Sequence, residues 1–162
     1  MRYLFCITII IISLLICIGC YQKFEVYGFK SEEKEFSWGK VGASLSGKKV
    51  IEGNTIIRRT PYDLEIWFVP FSLKEGTIKI TELKIIKSKK IIYQNDTSHE
   101  GVIKKYAKDY MAFFLFENIN IDYANIELQM KFILKENGNS MGYSTKIDFE
   151  KDYQKFRAII GV

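Results

Sequence analysis

The sequence predicts an all-β fold, an antiparallel β-sandwich of about eight short strands, preceded by a hydrophobic amino-terminal signal helix. Three observations predict it. Two stretches, Asp63–Phe68 and Ile126–Leu134, alternate apolar and polar residues, the period of a half-buried strand. Turn-forming residues recur about every eight to twelve positions. No run has the length and periodicity of the helical crossover that a parallel sheet needs.

The first strand is expected from Tyr21, where Phe24, Val26, Tyr27 and Phe29 are apolar, and the charged segment Lys30–Glu35 follows as a loop. Phe36–Arg59 reads as short strands and turns, with a turn at Ser46-Gly47. A hairpin is expected at Gly53-Asn54, between Val50-Ile51 and Ile56-Ile57, because both central residues tolerate positive φ. Pro61, which has no N–H to donate, is expected to end that strand. In Asp63–Phe68, Leu64, Ile66 and Phe68 share one face, and Asp63, Glu65 and Trp67 share the other. Pro70 places the end of this strand at an edge or a bulge, and Lys74-Glu75-Gly76 reads as a turn.

The next stretch changes phase. Ile78 and Ile80 have one parity and Leu83 and Ile85 the other, so a bulge is expected near Thr81-Glu82. Asn95–Glu100 is a polar loop. Val102–Asp109 fits either a short helix or a strand. Tyr110–Phe116 is apolar throughout and reads as a central strand. Asn118–Asn125 forms a corner. Ile126–Leu134 then pairs through the Asn137–Ser140 turn with a strand carrying Tyr143, Thr145, Ile147 and Phe149. The tail, Glu150–Val162, reads as a short helix or a last edge strand. The layout resembles an immunoglobulin-like domain in general architecture; the Cys–Trp–Cys core of antibody domains is absent.

The first twenty residues have a different character. Arg2 is the only charge before Lys23, and Tyr3–Gly19 is apolar apart from Thr8 and Ser13. A basic start, an apolar run and a small residue at its end are the parts of an export signal. The run also approaches the roughly 17 residues that cross a bilayer. Ile18-Gly19-Cys20 resembles the lipobox of bacterial lipoproteins, departing from it at Cys17, where Leu is usual. The resemblance covers these twenty residues and implies a signal peptide over residues 1–19, cleaved before Cys20. It implies a diacylglycerol on the Cys20 thiol, an acylated new amino terminus, and one exported domain over residues 20–162. Each methylene buried in lipid contributes roughly 0.8 kcal/mol. Location follows as the cell membrane or outer membrane, with the body facing the periplasm or exterior. Tyr21, rather than the Asp that retains such proteins at an inner membrane, leans toward the outer one. The alternatives are an uncleaved anchor helix and simple secretion.

All three cysteines, Cys6, Cys17 and Cys20, belong to this leader or its end, so the body is expected to hold together by apolar packing without disulfides. The formal charge of the chain is +5. Lysine and arginine pairs such as Lys48-Lys49 and Arg58-Arg59 read as solvated faces, with a weak attraction to anionic headgroups. Export excludes nucleic acid as a partner class.

Catalytic equipment is sparse. The single histidine, His99, stands between Ser98 and Glu100, but a hydrolase triad assembles in space rather than along a loop. No G-x-S-x-G elbow or phosphate-cradling glycine motif occurs. One histidine and no body cysteine leave no ordinary zinc set. Asp148 with Glu150, and Asp63 with Glu65, are carboxylate pairs on wet strand faces. The expectation is therefore no catalytic residue, no metal and no cofactor. Trp67 and Tyr62 are the expected interaction surface, because Trp67 falls opposite Leu64, Ile66 and Phe68 and because Trp and Tyr are enriched at binding hot spots. The sequence thus points to a lipid-anchored, non-catalytic binding or structural module of the cell envelope with an envelope protein as partner. An anchored inhibitor or immunity-type protein acting on an extracytoplasmic toxin or hydrolase is the alternative, and a hydrolase of envelope polymers is the third reading.

Overall fold

The computed structural model describes residues 21–72 and 75–159; the expected signal peptide with its helix, and Cys20, lie outside them. Every element among the described residues is a strand. The first four are β1 (Tyr21–Ser31), β2 (Lys34–Phe36), β3 (Gly39–Glu52) and β4 (Thr55–Pro70). Then come β5 (Thr77–Lys87), β6 (Lys90–Asn95), β7 (His99–Val102) and β8 (Lys104–Tyr106). The last three are β9 (Asp109–Ile119), β10 (Ile126–Glu136) and β11 (Asn139–Ile159). They are linked in one sheet in the order β2-β3-β4-β1-β11-β10-β5-β6. The remaining strands attach off this path, β7 on β5, β9 on β4 and β8 on β9. All pairs are antiparallel except β1–β4, which is parallel over Lys23–Val26.

Eleven strands stand where about eight were expected because the short segments β2, β7 and β8 also pair, and several long strands change partner midway. β11 pairs with β10 up to Phe149 and with β1 from there to Ile159. Its second half is the tail that reads from sequence as a helix or an edge strand. It is a strand with a partner on one side only, β1, since β10 ends its pairing at Phe149; the edge-strand reading holds and the helix does not. β4 runs through Pro61 instead of ending there. Its parallel pairing with β1 stops at Arg58, and its antiparallel pairing with β9 starts at Tyr62. The register with β3 also shifts there, between Gly47 and Lys48. Pro61 therefore falls in a gap between partners, where no ladder hydrogen bond needs its missing N–H. Ser46-Gly47 lies within β3 opposite the bulge that this shift makes, paired to Asp63 and Tyr62, and is not a turn.

Other expectations hold. The phase change in β5 is a bulge: Lys131 pairs with Glu82 and Phe132 with Ile80, which skips Thr81. The hairpins turn at Gly53, with φ 57°, and at Asn137-Gly138, with φ 49° and 81°. The 102–109 segment resolves as strand, with Lys104–Tyr106 paired to Asp109–Met111.

Alternation decides burial. Val41, Ala43 and Leu45 of β3, Tyr62, Leu64, Ile66 and Phe68 of β4, and Ala112, Phe114 and Phe116 of β9 point inward. They meet Ile78–Ile85 of β5, Leu128–Leu134 of β10, and Ile147 and Phe149 of β11 in one core. Phe132 is its aromatic hub, fully buried and packed against Phe68 at 4.9 Å, Tyr143 at 5.4 Å, Phe36 at 5.7 Å and Trp38 at 6.0 Å between centroids. Aromatic side chains of this kind each bury a large apolar area in a body without disulfides. Tyr110–Phe116 departs from the fully buried strand expected of it. β9 alternates, and Phe113 and Leu115 are 44% and 50% exposed on its outer side.

Candidate functional site

The most developed surface feature is built around Trp67. β4 turns Leu64, Ile66 and Phe68 to the core, so Trp67 and Glu65 stand on the outer face. In register beside Trp67 are Gly42 on β3 and Phe113 on β9. The indole lies flat over Gly42: a Cβ there would come within 2.3 Å of the ring. Only glycine leaves room for this approach.

The indole is also held by its edge. Trp67 Nε1 donates to Glu33 Oε1 at 3.1 Å, and Glu33 Oε2 accepts from Lys40 Nζ at 2.6 Å. The Lys40 hydrogen bond, and after it the Trp67 bond, hold the Glu33 carboxyl below its usual range. The same bond raises the Lys40 ammonium. Glu33 sits in the connection between β1 and β2, and Ser31 Oγ fixes that connection by donating to the Ala43 carbonyl at 2.6 Å. The next outward pair on β3 and β4 is joined as well, Ser44 Oγ to Glu65 Oε2 at 3.3 Å.

Trp67 and Ser44 open into a cleft of about 670 Å³. Glu32 and Glu33 of the β1–β2 connection line it together with Asp148 and Glu150 of β11. Lys30 and Lys34 also line it. Lys30 is paired with Asp152 at 3.2 Å, whereas Glu32, Asp148 and Glu150 make no ion pair among the described residues. The cleft therefore offers an immobilised indole and three unneutralised carboxylates. That combination suits an apolar side chain flanked by Lys or Arg, since charge complementarity fixes register and orientation.

The structure does not bring the expected pair Trp67 and Tyr62 together. Tyr62 is 0% exposed and belongs to the core. Its hydroxyl donates to the Tyr27 carbonyl at 2.9 Å, and burial pushes the phenol up to about 12. Parity already separates them, since 62 and 67 fall on opposite faces of a regular strand. Tyr62 is therefore removed from the interaction surface. In its place stand Phe113 and Leu115, which the sequence reading assigned to a covered strand.

The other sequence candidates are scattered. His99 lies in β7, half-buried, with Nε2 3.2 Å from Asn95 Nδ2 and its ring edge-on to Phe116 at 4.9 Å. Ser98 Oγ is turned to the Ile80 carbonyl at 3.4 Å. Asp63 is tied to Lys48 Nζ at 2.7 Å and accepts from the Asn118 N–H at 3.0 Å. Asp148 and Glu150 alone among these join the Trp67 cleft. Among the described residues no three His, Asp or Glu side chains gather in metal-binding geometry. Cys20 lies outside the described residues, directly before β1. No protein-family model, no curated protein and no solved structure matches the chain.

Proposed function

We propose that this chain is a lipid-anchored envelope protein, attached through Cys20, whose body is a non-catalytic protein-binding module. The observation that carries the binding half is the Trp67 cleft. A half-buried aromatic locked by Gly42 and Glu33 loses little freedom when a partner closes over it, which is how a hot spot gains affinity. Three free carboxylates around it favour a partner segment bearing Lys or Arg. The anchoring half rests on the lipobox-like Ile18-Gly19-Cys20. We read the two arms of the sheet, β3-β4-β9 and β5-β10-β11, as the two leaves of a sandwich; their shared core supports this.

The test places a photo-crosslinking residue at position 67 of the anchored full chain and a second at position 141, an exposed site on the β10–β11 hairpin. A defined envelope protein cross-linked at 67 and not at 141, and lost on charge reversal of Asp148 and Glu150, is the expected result. Equal cross-linking at both positions contradicts the cleft as the binding site. An inhibitor role is a special case of the same reading, in which the captured protein is a hydrolase or toxin that loses activity on binding.

A further inference from the structure

The chain's positive charge is concentrated at one end. The formal +5 includes Arg2, so Tyr21–Val162 carries +4. At the far end of the ribbon formed by β1, β11 and the β3–β4 hairpin stand six cations: Lys23, Lys49, Arg58, Arg59, Lys155 and Arg157. Glu25 and Glu52 are the carboxylates of the same segments, 21–27, 49–59 and 153–159, which leaves +4. The remainder of the body sums to zero. The strand register also places like charges directly opposite one another, Lys49 against Arg58 and Lys23 against Arg157. Such pairs oppose folding. Glu25 bridges to Lys155 and Glu52 to Arg59, so among the described residues Lys23, Lys49, Arg58 and Arg157 are left without an ion pair.

Beside Lys49 and Arg58, on the same face, is an apolar row. Phe156 pairs with Phe24, Phe24 with Ile56, and Ile56 with Ile51, so the four side chains cross four strands in register. Phe156 and Phe24 stack at 5.0 Å. Phe156 is 47% and Ile51 62% exposed at the two ends of the row, with Phe24 half-buried and Ile56 buried between them, and none of the four joins the large core cluster. The row ends the same ribbon at which β1 starts, at Tyr21. Phe24 is four residues past Cys20, within about 14 Å along an extended chain.

We infer that this face is a second membrane contact: the Phe156–Phe24–Ile56–Ile51 row lies in the interface of an anionic bilayer, and Lys49 and Arg58 meet its headgroups. The inference rests on the anchoring of the chain at its amino end. An acyl anchor at Cys20 delivers the face to the lipid, and the ribbon tilts onto it. Apolar side chains beside unpaired cations are the composition of an interfacial contact, and the excess charge is of the sign that anionic lipid attracts. The contact fixes the body's orientation and turns the Trp67 cleft to a constant height above the membrane.

The test uses the full chain reconstituted in vesicles, with an environment-sensitive fluorescent residue incorporated at position 51, or at position 141 as the control. On vesicles containing anionic phospholipid, the probe at 51 is expected to shift to the blue and be quenched by lipid-borne quenchers, and the probe at 141 is not. Lys49→Gln with Arg58→Gln is expected to weaken face-on docking about 25-fold, at roughly fivefold for each basic residue. The variant stays vesicle-bound. A probe at 51 as water-exposed as the one at 141, on protein that floats with the vesicles, overturns the inference. Shielding that ignores lipid charge and grows with protein density assigns the row to a second copy and overturns it equally. Flotation and the acylation state of Cys20, read on the same sample, report the anchor separately, so its failure is not mistaken for failure of the contact.

Discussion

Gly42→Ala tests the construction of the Trp67 site. The new Cβ would sit 2.3 Å from Cε2, 2.4 Å from Nε1 and 2.5 Å from Cζ2 of the indole. Carbon contacts relax only near 3.5–4.0 Å, so the ring must retreat by roughly 1 Å or more. It has no free direction in which to do so, because Nε1 is bonded to Glu33 at 3.1 Å. Either the clash stays, at about 1–3 kcal/mol for overpacking, or the indole lifts away and its bond to the carboxylate is lost. Trp67 is half-buried, which lowers the second cost, and a net loss of about 2 kcal/mol follows from either route. With a urea slope of about 1–3 kcal/mol per molar, the midpoint falls by about 1 M. The assay is urea unfolding of the solubilised protein followed by tryptophan emission, with the native emission maximum expected to move to the red. Repeating it on a Trp67→Phe background closes a double-mutant cycle. The smaller ring leaves space for the methyl group, so most of the loss should vanish. An equal loss on both backgrounds, or none on either, refutes the argument that Gly42 exists to seat the indole.

Three further outcomes follow from the geometry. Phe132→Ala removes the hub of the aromatic core and should cost about 3–5 kcal/mol, a large part of the 5–15 kcal/mol typical of a domain. Thermal unfolding checks it, and a loss under about 1 kcal/mol contradicts the packing described. The Glu82 carboxyl, hydrogen-bonded by Lys131 and Lys84, is held down at about 2, below its ordinary 4.5. Its folded value is the lower one, so its stabilisation is present above pH 4.5 and fades as pH falls toward 2. Glu82→Gln should flatten acid unfolding in that window; an unchanged acid profile contradicts it. Tyr62, pushed up to about 12, behaves in the opposite sense: its contribution is complete below pH 10 and is lost as pH rises toward 12. Tyr62→Phe should remove that alkaline loss. It should also cost about 1 kcal/mol at neutral pH, through the bond to the Tyr27 carbonyl. Alkaline melts with absorbance titration of the phenols read both effects.

Local pattern carried much of this fold. The parity switch between Ile80 and Leu83 located the bulge at Thr81, since a strand cannot move its apolar set to the other face without an extra residue. Alternation placed Leu64, Ile66 and Phe68 inside and left Trp67 outside for the same reason. What stayed hidden depends on partners distant in sequence. Pro61 breaks a strand unless the neighbouring strands change at that residue, and β1 and β9 do. Glu150–Ile159 is too polar for its pattern to choose between helix and edge strand, and β1 lying alongside it decides for the strand. The apolar run of β9 concealed the exposure of Phe113 and Leu115, because no polar residue marks its outer face. At the site, Trp67 was legible, but its Glu33 and Gly42 supports and the Asp148 and Glu150 lining came from three other segments. The row Phe156–Phe24–Ile56–Ile51 likewise exists only once four strands are in register.

The claim on which the functional account depends is the state of Cys20. Mass spectrometry of the protein extracted from its own membrane, reading the amino-terminal peptide, tests it most directly. The account predicts a chain that begins at Cys20, carries a diacylglyceryl thioether on that cysteine, and loses both the cut and the lipid in Cys20→Ser. An unmodified Cys20, with the leader still attached or cut elsewhere, would contradict it.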